Sequence, residues 1–262
     1  MNTQMVKGFV TFKNDGYYEV EIQSDFHIQV ERNKQIEVLL IEKGKLDINA
    51  QITLEEGSTC NILFLNECDD LQMNLTVHQK RNSNIQAGFY ELNENTSMIT
   101  VQSHLDEEGA SVNLVKSSIA NTKKAYDIEC IHHAPHTRSE MRNFEISNEN
   151  ANYKIQACGT IKKGAYQSQS HQMSRILTTS DCQKSEAIPI LLIDENDVAA
   201  SHANSMGKMD DEYLYYLQSR GINEEQAREL LTLSYLLPIS EVLNKEETKE
   251  MLIQKIRSRA GL

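Results

Sequence analysis

From Ile85 onward, runs of alternating apolar and polar residues begin at Ile85, Met98, Val112, Tyr126, Met141 and Tyr153, at steps of 13, 14, 14, 15 and 12 residues. Each run, such as "NIQAGFYEL", "SMITVQSHL" or "YKIQACGTI", repeats with period two, the signature of a strand with one buried face. The breaks between runs, "LNENTS", "LDEEGAS" and "SNENAN", are built from Asn, Asp, Glu and Gly, which tolerate turn conformations. Similar runs extend from Val6 to about Ala200, so the chain is expected to be mainly β over that span. A β-solenoid, a sandwich and a barrel all satisfy such spacing. Of the Asn-Gly and Asp-Gly hairpin signals only Asp15-Gly16 occurs, fewer than a meander would carry.

After Gly207 the period changes. "MDDEYLYYLQSRG" sets Leu214 and Leu217 three residues apart, opens on carboxylates that suit the positive end of a helix dipole and closes on Arg220-Gly221. Asn223, with Gln226 three residues on, predicts a capped second helix whose apolar stripe is Ala227, Leu230, Leu231 and Leu237. Pro238 restarts the chain. A third helix collects Ile239, Val242, Leu243, Ile253 and Ile256, with "NKEETKE" as a candidate break. The expected division is a β core over 1–206 and a helical region over 207–262.

Composition excludes several classes. With 39% hydrophobic and 24% charged residues and no Pro- or Gly-rich block, the chain is globular. A formal charge of -12 repels phosphate backbones, which argues against nucleic acid as a partner. Residues 1–16 lack the basic flank and apolar run of a signal peptide, and no stretch approaches the ~20 apolar residues of a membrane span. A cytoplasmic protein without membrane contact is therefore expected. Its five cysteines, Cys60, Cys68, Cys130, Cys158 and Cys182, are scattered without a C-x-x-C pair, which points to reduced thiols.

Sequence motifs for enzymatic chemistry are sparse. "GTIKKG" has the glycine spacing of a phosphate loop, but Ala165-Tyr166 follows where Lys and Ser or Thr are needed, so no nucleotide site is expected there. A β-helical polysaccharide enzyme would need catalytic acids clustered at one rung spacing, and none stands out. In "HHAPH", His132, His133 and His136 could supply imidazoles to a transition metal. On a strand, however, His132 and His133 point to opposite faces, and Pro135 turns the chain before His136. Cys158 and Cys182 each stand alone, as small buried hydrophobes usually do.

The segment "SHANSMGKMDDEYLYYLQSRGINEEQARELL", beginning at Ser201, resembles the end of the core domain of the SufB/SufD family, scaffold components of the SUF iron–sulfur cluster assembly system. Ser201, His202, Gly207, Asp210, Glu212, Leu214, Tyr216, Leu217, Ser219, Arg220, Gly221 and Ile222 fit the family's S-H to S-R-G-I block. His132, Ala134, Pro135, Thr137 and Ser139 resemble its H-x-A-P-x-T-x-S segment, which accounts for "HHAPH" without a metal. "ILTTSDCQKSEAIPILLIDENDV" resembles a third segment through Leu177, Ser180, Asp181, Pro189, Leu191, Ile193, Asp197 and Val198.

The resemblance implies a right-handed parallel β-helix followed by a small C-terminal α-helical region. It also implies a scaffold rather than an enzyme, binding no nucleotide itself, docked to a SufC-like ABC ATPase through residues 207–262. The core would pair with a SufB-like scaffold or with a second copy as a homodimer, and a transient iron–sulfur cluster would form at that interface. His202 occupies the position of the family's interface histidine, and Cys182 is a second candidate ligand. Tyr213, Tyr215, Tyr216, Leu217 and Arg220 are candidates for the ATPase contact, the alternative for the tyrosines and Leu217 being packing onto the β core. Ala200 stands where SufD-type chains commonly place Cys. Ser201 and Ala203 stand where SufB-type chains carry carboxylates, and the SufB cysteine aligns with Gln183, one residue beyond Cys182. These departures motivate a second expectation, a structural or regulatory subunit of the same ATPase complex that carries no cluster. The chain resembles a minimal core without the long N-terminal region of many members.

Overall fold

The structure, a computed structural model, describes residues 4–259, with side chains from Gly8 onward except at Asp211. The elements run β1 (Gln4–Phe12), β2 (Gly16–Val30), β3 (Gln35–Leu54), β4 (Thr59–Gln79), β5 (Asn84–Glu91), β6 (Thr96–Leu105), β7 (Ser111–Ala120), β8 (Lys123–His132), β9 (Arg138–Ser147), β10 (Asn152–Ile161), β11 (Gln169–Thr178), β12 (Lys184–Ile193) and β13 (Ala199–Lys208). All pairings among them are parallel. One ladder stacks β5, β7, β9, β11 and β13, and a second stacks β6, β8, β10 and β12. The long β4 begins both, because its first half pairs with β5 and its second half with β6. The result is a parallel β-solenoid of about seven turns. Ile85 pairs with Val112 and Val112 with Ser139, so two of the short sequence steps make one turn.

A column of left-handed residues marks one corner of the coil. Asn33 (φ 58°), Gly57 (69°), Asn82 (52°), Gly109 (75°), His136 (59°) and Gln167 (56°) occupy the same place in successive turns. Backbone amides at these corners bond to the next turn, as Asn82 N–H does to the Glu108 carbonyl. At Gly109 a Cβ would stand 2.2 Å from Asn82 Oδ1, so the asparagine below requires the glycine above.

Between the two ladders lies an apolar core that includes Ile62, Phe64, Phe89, Leu114 and Ile155. The outer faces differ. The outer face of β6, β8 and β10 is largely open to solvent, and their first residues alternate buried and accessible as the sequence pattern expects. The outer face of β5, β7 and β9 is covered, which makes their second halves continuously buried. The cover is the C-terminal region: α1 (Asp211–Ser219), α2 (Glu224–Leu236), a 3-10 segment (Leu237–Glu241) and α3 (Glu246–Arg259). Leu236, Ile239, Val242 and Leu252 pack there against Leu63, Val115 and Phe144.

The helix caps match expectation, with Asp210 accepting from Glu212 N and a reciprocal Asn223/Gln226 box. Two details are corrected. Leu230, expected in the apolar stripe of α2, is exposed, and Leu233 and Leu236 are buried in its place. The third helix starts only at Glu246, because Pro238 favours the tight 3-10 turn that carries Ile239 inward. The β core also extends past residue 206, since β13 runs to Lys208.

Inside the coil one column is polar. Glu42 pairs in register with Asn66, and Glu91 with Ser118 and Ser118 with Glu145; all are buried, and Lys116, Lys124 and Tyr126 surround them. Glu91 accepts from Asn66 Nδ2 and from Tyr126 Oη at 3.1 Å, and Lys124 Nζ donates to the Glu91 carbonyl at 2.7 Å. Burial and the neighbouring Glu91 push the Glu42 carboxyl well above the usual carboxylate range.

Candidate functional site

The last turn leaves the solenoid open. Among the described residues β12 pairs only with β10 and β13 only with β11, so two ten-residue strands have an unpaired edge. Such an edge is a template for another strand. Apolar side chains are exposed along it: Ile193 is 41% and Met206 48% accessible, whereas Ile161 and Ile176, which hold the same positions one turn earlier, are at 0% and 2%.

His202 sits on this face. Its register partner is Gln172, a buried residue whose Nε2 donates to the Ile190 carbonyl at 2.7 Å. Strand alternation therefore sets Ala200, His202, Asn204 and Met206 above the buried residues Ser170, Gln172, Ser174 and Ile176, on the interior side of the coil. The imidazole is exposed because no further turn lies over it. Ser201 and Ala203 alternate to the outer side, where Ser201 Oγ lies 2.8 Å from His171 Nδ1.

Residues 12–235 match a family model described as "SUF system FeS cluster assembly, SufBD core domain". The chain belongs to the SufBD family. It is similar to the iron–sulfur cluster assembly protein SufD of Bacillus subtilis (strain 168), 35% identical over 131 residues that make up 50% of this chain and 30% of that one. SufD of Escherichia coli (strain K12) is 35% identical over 71 residues, 27% of this chain and 17% of the relative. An iron–sulfur cluster assembly SufBD family protein of Staphylococcus epidermidis is 24% identical over 261 residues, 89% of this chain and 56% of the relative. The chain therefore spans little more than half, and in places much less, of the length of these relatives.

This SufBD chain does not bring its two sequence-derived ligand candidates together. Cys182 is exposed in the turn between β11 and β12, a correction to its expected burial, because it lies beyond the last buried residue of β11. Its neighbour Asp181 meets Lys208 Nζ at 2.8 Å, at the far end of β13. Six residues of extended strand, about 20 Å, separate that end from His202. Cys158 is buried in β10, and its thiol is pushed up chiefly by burial. Cys60, fully interior, is pushed up to about 12 by the same cause, so it is an inert thiol.

The H-x-A-P-x-T-x-S segment is a corner brace. His132 is buried, with Nδ1 2.7 Å from Thr137 Oγ1 and Nε2 2.9 Å from Ser139 Oγ, and Thr137 Oγ1 donates to the Ala134 carbonyl. Burial pulls the imidazole down to about 4, so it stays neutral. His133 faces outward and His136 stands 4.0 Å from Glu108, so the three histidines do not converge. Gly159 of "GTIKKG" is a packing point: a Cβ there would meet Ser170 Oγ at 2.3 Å.

On α1 the tyrosines do not pack onto the core. Tyr213, Tyr215 and Tyr216 are 63%, 74% and 54% exposed, while Leu214 is buried and Leu217 half-buried. The Arg220 guanidinium lies 5.3 Å from the Tyr216 ring centre, so that side chain belongs to the same exposed patch. One signal in the sequence could have marked the open edge: Pro189 stands within β12, and proline, which donates no ladder hydrogen bond, is confined to edge strands.

Proposed function

We propose that this chain is a scaffold subunit of a SUF-type iron–sulfur cluster assembly complex. Its last turn, β12 and β13, joins a second SufBD core, either another copy or a SufB-like chain, and His202 offers an imidazole to the cluster forming at that junction. The exposed face of α1, with Tyr213, Tyr215, Tyr216, Leu217 and Arg220, docks a SufC-like ATPase. The cluster is cargo, and nucleotide hydrolysis belongs to the partner, so the chain itself is not an enzyme. The single observation that carries this reading is the pair of unpaired strand edges on the last turn, β12 and β13, with the exposed His202 on that face. Backbone groups left without partners favour edge-to-edge union, and such a union with a second copy is isologous. A neutral imidazole ligates iron.

The test is to purify the chain with its ATPase, measure the mass of the complex, and reconstitute it anaerobically with ferrous iron and sulfide. Cluster absorbance in the wild type and its loss in His202→Ala are expected. Equal absorbance in the variant removes the cluster role, and failure to form any complex with either partner removes the scaffold. A second reading, a structural subunit without a cluster, is supported by Ala200, Ser201 and Ala203 around the histidine and by the distance to Cys182. It expects complex formation and no cluster absorbance.

A further inference from the structure

On the outer face of the second ladder, three successive turns bring together histidines that lie far apart in the chain. His78 pairs in register with His104, and the ring centres of these two are 4.9 Å apart and nearly parallel. His133 follows on the next turn, its ring 5.4 Å from that of His104 and tilted by only 12°. Asp106 and His133 are carried at matching positions just beyond β6 and β8, where Asp106 N–H bonds to Gln79 and His133 N–H to Leu105 of the turn before. The ladder thus holds the backbone of each residue in place.

His104 Nδ1 and His133 Nε2 face each other at 3.1 Å. Two ligand nitrogens on one tetrahedral ion, each about 2.0–2.1 Å from the metal, stand about 3.3 Å apart. A carboxylate oxygen of Asp106 completes a set whose donor atoms all lie within 4.8 Å of one another. Asp106 is itself oriented, since its Oδ2 lies 2.9 Å from His78 Nδ1. A ligating carboxylate held by an outer partner is a recurrent feature of metal sites.

We propose that His104, Asp106 and His133 form a binding site for a first-row divalent transition-metal ion, with His78 as the residue that positions the carboxylate. Two imidazoles and one carboxylate select borderline ions such as zinc, ferrous iron or cobalt over magnesium or calcium, which prefer all-oxygen shells. His133 is exposed, so solvent completes the coordination and exchange is open. The site uses none of the residues assigned to the last turn and does not depend on that assignment.

The experiment is calorimetric titration of the full chain with Zn²⁺, in a Cys182→Ser background so that the exposed thiol does not compete. It is paired with Co²⁺ absorption, which reports coordination by nitrogen and oxygen through its visible bands. One equivalent is expected. His104→Gln and His133→Gln should each weaken binding by about 100-fold, and His78→Ala, which leaves the three ligands in place, by about 10-fold. His133→Gln alters an exposed side chain, so its folding is not at stake, and circular dichroism confirms it. Absence of saturable Zn²⁺ binding, or His133→Gln binding as tightly as its parent, would overturn the proposal.

Discussion

Substitution of the interior ion pair Lys116–Glu145 separates two opposing terms. Lys116 Nζ lies 3.4 Å from Glu145 Oε2, with the side chains 1% and 0% exposed. At an effective dielectric of about 20, attraction across that gap is about 5 kcal/mol. Desolvation opposes it. Burial pulls Lys116 down to about 8 despite Glu145, and it raises Glu145 despite the nearby cations. The pair as a whole therefore contributes little. Removing one member is different, because Glu145 already has one oxygen, Oε1, without a partner, and Lys116→Met would leave the other with only a serine nearby and a more distant Lys124.

We expect Lys116→Met to cost about 3 kcal/mol, Glu145→Gln a similar amount, and Lys116→Met/Glu145→Leu to return to within about 1 kcal/mol of the wild type. The chain has no Trp, so urea unfolding is followed by far-ultraviolet circular dichroism. Turns of a solenoid contact only their neighbours, so amide exchange should place the loss at β7 and β9. Additive single effects, or a double variant as unstable as their sum, would refute the reasoning. The pH dependence follows with a definite sign. Folded Lys116 releases its proton near 8 and the unfolded residue near 10.5, so between those values the unfolded chain binds more protons. The penalty from this group is complete below pH 8 and is relieved as pH rises through that window. Lys116→Met should flatten that rise.

Three further outcomes are expected. Gly109→Ala puts a Cβ 2.2 Å from Asn82 Oδ1 at a left-handed corner, and a loss of about 1–2 kcal/mol should be visible as a lower melting temperature. Leu192→Lys with Met206→Lys places charge on both open edges, and light scattering should then report a monomer where the parent associates, with the circular dichroism spectrum unchanged. Tyr213→Ala with Tyr216→Ala should weaken ATPase binding by at least about 10-fold at an unaltered melting temperature, since both rings are exposed.

Much of the fold is legible along the chain. Alternation located β5 through β10, the near-uniform steps matched half a turn each, and Asp210, Asn223 and Gln226 marked the helix starts, because these signals come from neighbours a few residues apart. The corner column was legible in principle, as Asn33, Gly57, Asn82, Gly109, His136 and Gln167 recur 24 to 31 residues apart, but no single residue type fills it from turn to turn. Leu230 misled, since an amphipathic stripe states which face is apolar and not how far the sheet beneath it reaches. His132 read as one of three related histidines, and burial beside Thr137 and Ser139 gave it a different part from exposed His133.

By itself the sequence determined the pitch of the strands, the helical ending and, through the S-H to S-R-G-I block, the family. Only the tertiary structure decided which residues meet: Lys116 with Glu145, His104 with His133, and Cys182 apart from His202. The reason is the parallel winding. A strand's own alternation is written in adjacent residues, whereas its stacking partner lies a full turn away, at a separation set by corner lengths that vary from turn to turn. The same winding makes the last turn special, because among the described residues no strand pairs with the outer edges of β12 and β13.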